Sequence, residues 1–261
     1  MSPTRRSTRR PLARRVPRAA ALAVLLVSLT ACGGPGTWSR AGMPEGATKE
    51  AGIIQNLWNG AWIASLAVGV VVWGLILWAC AFHRKRKNSP DALPPQVRYN
   101  LPIEILYTTV PIIMVAVFFY FTARDENAIV AVSKNPDVKV KVEGFQWSWR
   151  FTSEYNGKTV SVVGTPAKRP ELVLPVDKKV QFDLVSPDVN HSFWVPAFLF
   201  KRDVIPGVKN VFDVQTLNKP GTFAGRCAEL CGVDHSRMLF TVKLVPQDQY
   251  DTYVNQAGSA Q

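Results

Sequence analysis

The chain has 261 residues, of which 47% are hydrophobic, so it is long enough for a membrane anchor and one domain of ordinary size. Its formal net charge of +12 would suit a nucleic-acid partner, but the position of the charges decides the question. Seven arginines lie in the first eighteen residues, and without them the net charge falls from +12 to +5. No nucleic-acid partner is therefore predicted.

The arginine-rich start is followed by an apolar run, 19–27, that is too short to span a bilayer as a helix. This pattern predicts a signal peptide over residues 1–31. Residues 29–32 resemble a bacterial lipobox, which would make Cys32 the lipidated first residue of the mature protein. The alternative is an uncleaved signal anchor with Cys32 as a free thiol. Residues 32–56 are expected to form an external segment.

Two apolar segments predict a transmembrane helical hairpin over residues 57–122. The first, 57–82, is long enough for a tilted crossing of a bilayer core of about 30 Å. The second, 101–121, is shorter and is broken by two prolines and Glu104. The loop between them, 83–100, is rich in Lys and Arg, and the positive-inside rule places it in the cytoplasm. Both ends of the mature chain are therefore expected on the outer side of the bacterial plasma membrane.

Glu104 is the only acidic residue of the second segment. A carboxylate at membrane depth is costly enough to indicate a function. A carboxylate at the cytoplasmic end of the helix costs little, because its side chain can reach the interface. The residues alone leave both interpretations open.

From residue 123 to 261 the composition changes to short runs rich in Val, Phe and Trp, separated by Pro, Gly, Asn and Asp. Residues 138–143 alternate between polar and apolar, as a strand with one buried face does. Residues 178–185, 208–216 and 238–245 behave similarly. The pattern predicts an antiparallel sandwich or Greek-key barrel of about 130 residues, with no competing helical periodicity.

All the cysteines, histidines and methionines of this region lie in two segments. Cys227, Cys231, His235 and Met238 lie close together, and His191 comes from a separate segment. Thiolate and thioether favour Cu(I), imidazole suits both oxidation states, and this ligand set is that of a cupredoxin copper site. A second thiolate can bridge two metals, so the pattern predicts a dinuclear copper centre for electron transfer.

Two alternatives use fewer of these residues. In an oxidising compartment Cys227 and Cys231 could form a disulfide, which leaves both histidines and Met238 without a role. A tetrahedral zinc site of two Cys and two His has no use for Met238 and lacks the usual C-x₂-C spacing. No C-x-x-C-H sequence occurs, so no c-type haem attachment is predicted.

These motifs resemble those of cytochrome c oxidase subunit II over essentially the whole mature chain. Residues 225–232 with His235 and Met238 are similar to the family's Cu-A loop, residues 188–191 to its upstream histidine segment, and residues 202–207 to the segment between them. The resemblance implies a membrane-anchored all-β protein, with a two-helix transmembrane hairpin followed by a cupredoxin-like Greek-key β-barrel or sandwich. The leader and lipobox fit an actinobacterial source.

The resemblance also implies a role for each residue of the loop. The implied ligands of two copper ions are Cys227, Cys231, His191, His235, Met238 and the backbone carbonyl of Glu229. The two thiolates would bridge both ions, with His191 and Met238 completing one of them. His235 and the Glu229 carbonyl would complete the other. The Glu229 side chain matches a magnesium ligand at the boundary with the catalytic subunit, and a hard oxygen ligand suits that ion.

Two further positions take a role from the resemblance. Trp147 matches the tryptophan at which electrons enter, whereas an ordinary core aromatic is the alternative. The family usually has an aromatic residue where Ser148 stands, so the surface facing the electron donor is expected to differ here. Glu104 matches the carboxylate at the mouth of a proton channel in the catalytic subunit.

The implied protein is subunit II of an aerobic, proton-translocating cytochrome c oxidase, working with subunits I and III and with membrane lipid. Electrons would pass from cytochrome c through copper to haem in subunit I, where oxygen is reduced to water. Residues 124–261 carry 17 basic and 15 acidic residues, so steering of a basic soluble cytochrome is weak. A membrane-bound donor, or one within a bc1–oxidase supercomplex, is expected. The competing functions are a membrane-tethered copper carrier and a copper-free quinol-oxidase subunit or structural anchor of the same fold.

Overall fold

A computed structural model describes residue 36 and residues 38–84 and 96–258. The leader and the lipidation site expected at Cys32 lie outside the described residues, as does most of the basic loop. The chain divides into a unit of residues 1–42 and a compact unit of residues 43–261. In the first unit the described residues form a turn, with the Arg40 amide donating to the Gly36 carbonyl over 3.3 Å.

Two long helices correspond to the two apolar segments: α1, Lys49–Phe82, and α2, Leu101–Val130. Both are long and apolar enough to cross a membrane, with mean hydropathies of 2.3 and 2.0 over their most apolar windows. α1 begins well before residue 57 and α2 continues well past residue 121. Apolar composition marks only the lipid-facing part of a helix, whereas caps and tertiary contacts set its ends.

Both helices begin with a side-chain cap. The Thr48 hydroxyl accepts a hydrogen bond from the Ala51 amide over 3.1 Å at the start of α1. At the start of α2, the Asn100 side chain accepts from the Ile103 amide over 3.4 Å. Thr and Asn are favoured at these positions because their short side chains satisfy amides that have no partner within the helix.

Ten strands follow α2 and form two sheets of five strands each, with the orders β3-β2-β1-β5-β8 and β4-β10-β9-β6-β7. The strands are β1 Val138–Phe145, β2 Ser148–Tyr155, β3 Lys158–Val163, β4 Glu171–Pro175, β5 Lys179–Val185, β6 His191–Val195, β7 Phe200–Val204, β8 Asn210–Gln215, β9 Gly221–Cys227 and β10 Leu239–Val245. Two pairings, β1 with β5 and β4 with β10, are parallel, and the other pairings are antiparallel. The expectation of an antiparallel sheet is therefore corrected, because one-face alternation does not distinguish the two kinds of pairing.

The buried faces of the two sheets form one hydrophobic core rich in aromatic side chains. Phe193 stacks on Phe240 with ring centroids 4.9 Å apart, and Phe182 stacks on Phe212 at 5.0 Å. Each such side chain contributes roughly 1.5–3 kcal/mol by leaving water. The Phe182 ring also lies 5.4 Å from that of Phe193, which packs β6, the strand that carries His191, against the opposite sheet.

A third helix, α3, spans Gln247–Gly258 and was not expected from the sequence. Tyr250 and Val254, one helical turn apart, are buried, and the Tyr250 ring lies 5.1 Å from that of Tyr155 on β2. Their i, i+4 spacing is the helical signal, but it is short and falls among polar residues.

Candidate metal centre

His191 is the first residue of β6 and is fully buried. Its strand pairs with β7 on one side and with the end of β9 on the other, where Phe193 faces Cys227. The histidine therefore stands beside the strand end that leads into the cysteine loop, although 36 residues separate His191 from Cys227.

The cysteine loop connects the end of β9 to the start of β10 and is fixed at both ends. The Cys227 amide donates to the Met238 carbonyl over 3.0 Å, which closes the loop. The next amide, that of Ala228, donates to the Ser192 carbonyl over 3.0 Å and ties the loop to β6. A short 3₁₀ turn, His235–Arg237, returns the chain to the strand. These backbone bonds hold the loop that carries the donor side chains against β6.

The loop brings its sulfur and nitrogen donors together. The two thiol sulfurs of Cys227 and Cys231 are 3.9 Å apart. Nδ1 of His191 lies 3.9 Å from the Cys227 sulfur, and Nδ1 of His235 lies 3.5 Å from the Cys231 sulfur. The Met238 thioether is 3.7 Å from the Cys231 sulfur. Each thiol sulfur therefore has the Nδ1 atom of a different histidine beside it.

The sulfur separation excludes the disulfide in this structure, because a disulfide joins two sulfurs at about 2.05 Å. The donor set fits copper. It combines soft sulfur ligands with imidazole, and the ligand atoms of His191, Cys227 and Cys231 lie within 4.8 Å of one another. Met238 is buried with its sulfur at the cluster, a position for which a site of two Cys and two His has no use.

The backbone carbonyl and the side chain of Glu229 have different surroundings. Its backbone carbonyl lies 3.2 Å from the Cys227 sulfur and so joins the donor cluster. Its side chain is exposed to solvent. The carbonyl can serve the cluster while the carboxylate remains accessible from outside the chain.

Asp188 forms a hydrogen bond with the ring nitrogen of His191 that points away from the thiols. One of its carboxylate oxygens lies 2.9 Å from Nε2 of His191, and the other accepts a hydrogen bond from the Gln146 amide over 2.8 Å. Burial raises the pKa of Asp188. Hydrogen bonds from the Gln146 amide, His191 and the Val189 amide lower it by more than burial raises it, so the pKa is lowered overall. An ionised carboxylate only accepts hydrogen bonds, so it selects the tautomer with a proton on Nε2 and leaves Nδ1 free to bind a metal.

The two thiols differ in acidity. Burial raises the pKa of Cys227, but hydrogen bonding, chiefly with His191, lowers it to about 7. Burial and the neighbouring Cys227 sulfur raise the pKa of Cys231 to about 12. Without metal, Cys227 is therefore partly ionised at neutral pH, whereas Cys231 keeps its proton. A metal held by both sulfurs must displace the second proton, so its binding is coupled to pH.

Trp147 lies beside the loop and is half-buried. Its indole N–H donates to the Cys231 carbonyl over 3.0 Å, and the Gln146 side-chain amide donates to the same carbonyl over 2.8 Å. Trp149, two residues later, is fully buried with its ring 6.2 Å from that of His191. Trp147 therefore lies at the surface of the loop, whereas Trp149 belongs to the core.

Ser148 does not contribute to the surface beside Trp147. Its side chain is buried, and its hydroxyl lies close to Gly164. Ser148 is the first residue of β2, whereas Trp147 lies in the turn before that strand. The expectation that this serine alters the donor-facing surface is therefore not supported by its position.

Glu104 lies in the first turn of α2, far along the chain from the copper loop. Its carboxylate accepts a hydrogen bond from the Asn100 amide over 2.9 Å, while the Asn100 side chain caps the same helix. The residue is half-buried. This contact gives Glu104 a structural role at the helix end, and the role at a proton channel stays a prediction.

Asp188 lies in the predicted histidine segment, but no role was predicted for it or for Gln146. An acidic residue three positions before a candidate ligand histidine is a usable signal, because a turn brings the two side chains together. Nothing in the local sequence indicates that Gln146 reaches the Cys231 carbonyl, since 85 residues separate them.

Residues 138–245 match the family model described as cytochrome C oxidase subunit II, periplasmic domain. A probable cytochrome c oxidase subunit 2 of Streptomyces avermitilis is 48% identical, and the alignment covers 95% of this chain and 88% of the relative. The chain belongs to the cytochrome c oxidase subunit 2 family. The cytochrome c oxidase subunit 2 of Mycobacterium tuberculosis is 37% identical, with 93% of this chain and 82% of the relative covered.

Among solved structures, the periplasmic domain of subunit II of Bradyrhizobium japonicum cytochrome oxidase is 31% identical, with a TM-score of 0.44. The alignment covers 49% of this chain and 99% of the Bradyrhizobium japonicum chain. Membership of the subunit 2 family confirms the expected family and makes the chain a subunit of an oxidoreductase. The apolar helices and the two-sheet domain confirm the expected fold class, a membrane hairpin followed by a cupredoxin-like domain.

Proposed function

We propose that this subunit 2 accepts electrons from cytochrome c at a dinuclear Cu-A centre and passes them to haem in the catalytic subunit I. There oxygen is reduced to water, coupled to proton translocation. The observation that carries the proposal is the cluster of donor atoms around the paired thiols, whose sulfurs are 3.9 Å apart. Each sulfur has its own histidine nitrogen beside it, His191 at Cys227 and His235 at Cys231, and this arrangement suits two metal ions better than one.

Each residue of the cluster has a distinct part in holding the ions. Cys227 and Cys231 would bind both ions, and His191 and Met238 would complete the ligands of one of them. His235 and the Glu229 carbonyl would complete those of the other. Bound in this way, a copper pair supplies one-electron transfer with the charge shared between two ions. The closed loop and buried His191 limit movement of the ligands during transfer.

Trp147 is the residue at which electrons enter. Its half-buried indole is joined by one hydrogen bond to the carbonyl of Cys231, a bridging ligand. Gly232 packs against the indole, since a Cβ added there would lie 3.1 Å from its Nε1. A donor that contacts Trp147 is thereby one hydrogen bond from the metal ligands.

The surface of the loop suits a donor held by means other than charge. Leu230 and Val233 are 76% and 89% exposed. Exposed apolar side chains of this size mark interaction sites when they lie together. With a nearly neutral domain, this supports a cytochrome c that is membrane-bound or held in a bc1–oxidase supercomplex.

The remaining assignments concern other subunits and the membrane. The Glu229 carboxylate is exposed and can ligate magnesium together with oxygen ligands from subunit I. Glu104 lies at the mouth of a proton channel in subunit I, and subunit III completes the assembly. The hairpin crosses the bacterial plasma membrane with the copper domain outside, and Cys32 carries a lipid.

The test is the copper content and EPR spectrum of the purified, copper-loaded full-length chain. Two coppers per chain are expected, with the seven-line hyperfine pattern of one electron shared by two copper nuclei. Cys231→Ser should abolish that pattern, whereas Cys80→Ser, which changes the exposed cysteine of α1, should preserve it. One copper with a four-line pattern, or no copper, would overturn the proposal.

A further inference from the structure

The start of α1 is built into the β domain. Ala47 and Thr48 are buried, and Thr48 forms a β-bridge with Thr216 just after β8. The Leu217 amide donates to the Ala47 carbonyl over 3.0 Å, and the Ala47 amide donates to the Ala197 carbonyl over 2.8 Å. Both the amide and the carbonyl of Ala47 are therefore hydrogen-bonded to the β domain, just before the first helix of the hairpin begins.

Glu50, in the first turn of α1, extends this contact to β8 itself. Its carboxylate accepts a hydrogen bond from the Gln215 amide over 2.9 Å, across 165 residues of sequence. β8 is the last strand of its sheet, so its outer edge presents backbone groups without a strand partner. A carboxylate at a helix start is also favoured by the helix dipole. Glu50 thus joins the first helix to the sheet edge.

Asp213, on β8, makes the corresponding contact with the end of α2. Its buried carboxylate accepts the Ser133 amide over 2.6 Å and the Gln181 side-chain amide over 3.0 Å. Gln181 also donates to the Ser133 carbonyl over 3.1 Å. Hydrogen bonds to a carboxylate are about twice as strong as neutral ones. Ser133 follows the last residue of α2 closely, so Asp213 joins the second helix to the same strand.

Both contacts lead to the strand that carries the first metal ligand. Ala197, which accepts from the start of α1, lies in the short 3₁₀ turn directly after β6, and His191 begins β6. β8 contacts β6 through the core, where Phe212 lies 6.3 Å from Phe193. Movement of the hairpin relative to β8 would therefore move the donor cluster relative to the membrane.

We propose that Glu50 and Asp213 are positioning residues that fix the copper domain on the membrane hairpin. They hold the donor cluster at one height and orientation above the bilayer, so that electrons cross a constant gap to the haem-bearing subunit. The role in transfer rests on the proposed function, whereas the fixed attachment does not. The rate of electron transfer falls steeply as the distance between donor and acceptor grows, so it depends on such placement.

The test uses the assembled oxidase with Glu50→Ala and, separately, Asp213→Asn. The rate of electron transfer from reduced copper to haem is followed after flash reduction. It is expected to fall severalfold, while copper content and the EPR spectrum stay as in the parent enzyme. Glu126→Ala, which removes an exposed carboxylate at the end of α2, is the matched control and should transfer at the parent rate. Parent rates in both variants overturn the proposal.

Amide hydrogen exchange in the full-length chain tests the attachment independently of electron transfer. Glu50→Ala should speed exchange at Gln215 and Asp213→Asn at Ser133, while Glu50→Gln, which keeps an acceptor oxygen, should restore part of the protection. Unchanged exchange overturns the proposal, and so does faster exchange with a parent transfer rate. If the parent chain lacks the copper spectrum, the proposed function fails, while exchange still tests the attachment.

Discussion

Replacing Asp188 by Asn should weaken copper binding although Asp188 is not a proposed ligand. The carboxylate accepts from His191 Nε2 at 2.9 Å and from the amides of Gln146 at 2.8 Å and Val189 at 2.6 Å. Asn offers one oxygen in place of two and adds a donor. It can no longer select the His191 tautomer that leaves Nδ1 for the metal.

The size of the effect follows from this supporting role. Loss of a carboxylate behind a metal-binding histidine typically costs about 10- to 100-fold in metal affinity, which is about 1.4–2.8 kcal/mol. The Asp188 side chain is 29% exposed, so water screens part of its charge. We therefore expect the lower end, a decrease of about tenfold.

The assay is competition for Cu(I) between the full-length chain and a chromophoric chelator at neutral pH. Asp177→Asn is the matched control, because Asp177 is exposed in a turn with a φ of 53°, which Asn adopts readily. The control should bind copper like the parent chain. Equal affinities for the two variants would refute the inferred tautomer selection.

Three further outcomes follow from the site and its support. Trp147→Phe removes one of the two donors to the Cys231 carbonyl and leaves that of Gln146, so stopped-flow oxidation of reduced cytochrome c should slow severalfold, with copper content unchanged. Gly225→Ala places a Cβ 2.1 Å from a Phe240 ring carbon, and denaturant titration should show a loss of about 1–3 kcal/mol in unfolding free energy. In the metal-free chain the Cys227 pKa of about 7 is depressed, so its contribution to stability is present above the ordinary thiol pKa and is lost as the pH falls through about 7. The free energy of unfolding, measured between pH 6 and 9, should therefore rise with pH, and Cys227→Ser should remove that rise.

The donor residues of the cysteine loop could be predicted from the sequence because their spacing is local. Cys227, Cys231, His235 and Met238 occupy one connection between two strands, so any closed loop brings them together. The apolar spans and alternating strands were equally visible, since each depends on composition over a few residues.

Other features depend on contacts between distant parts of the chain. The parallel pairings of β1 with β5 and β4 with β10 do not follow from alternation, and α3 was missed because tertiary packing stabilises a short, mostly polar helix.

The sequence by itself determined the ligand chemistry, the membrane hairpin and the family, because these lie in local composition and spacing. Only the tertiary structure decided which groups support the site. Asp188 behind His191, the indole of Trp147 on the Cys231 carbonyl, and the attachment of Glu50 to β8 each join residues whose partners are set by strand order and register. Hydrogen bonds of this kind depend on the folded backbone, and no local pattern encodes them.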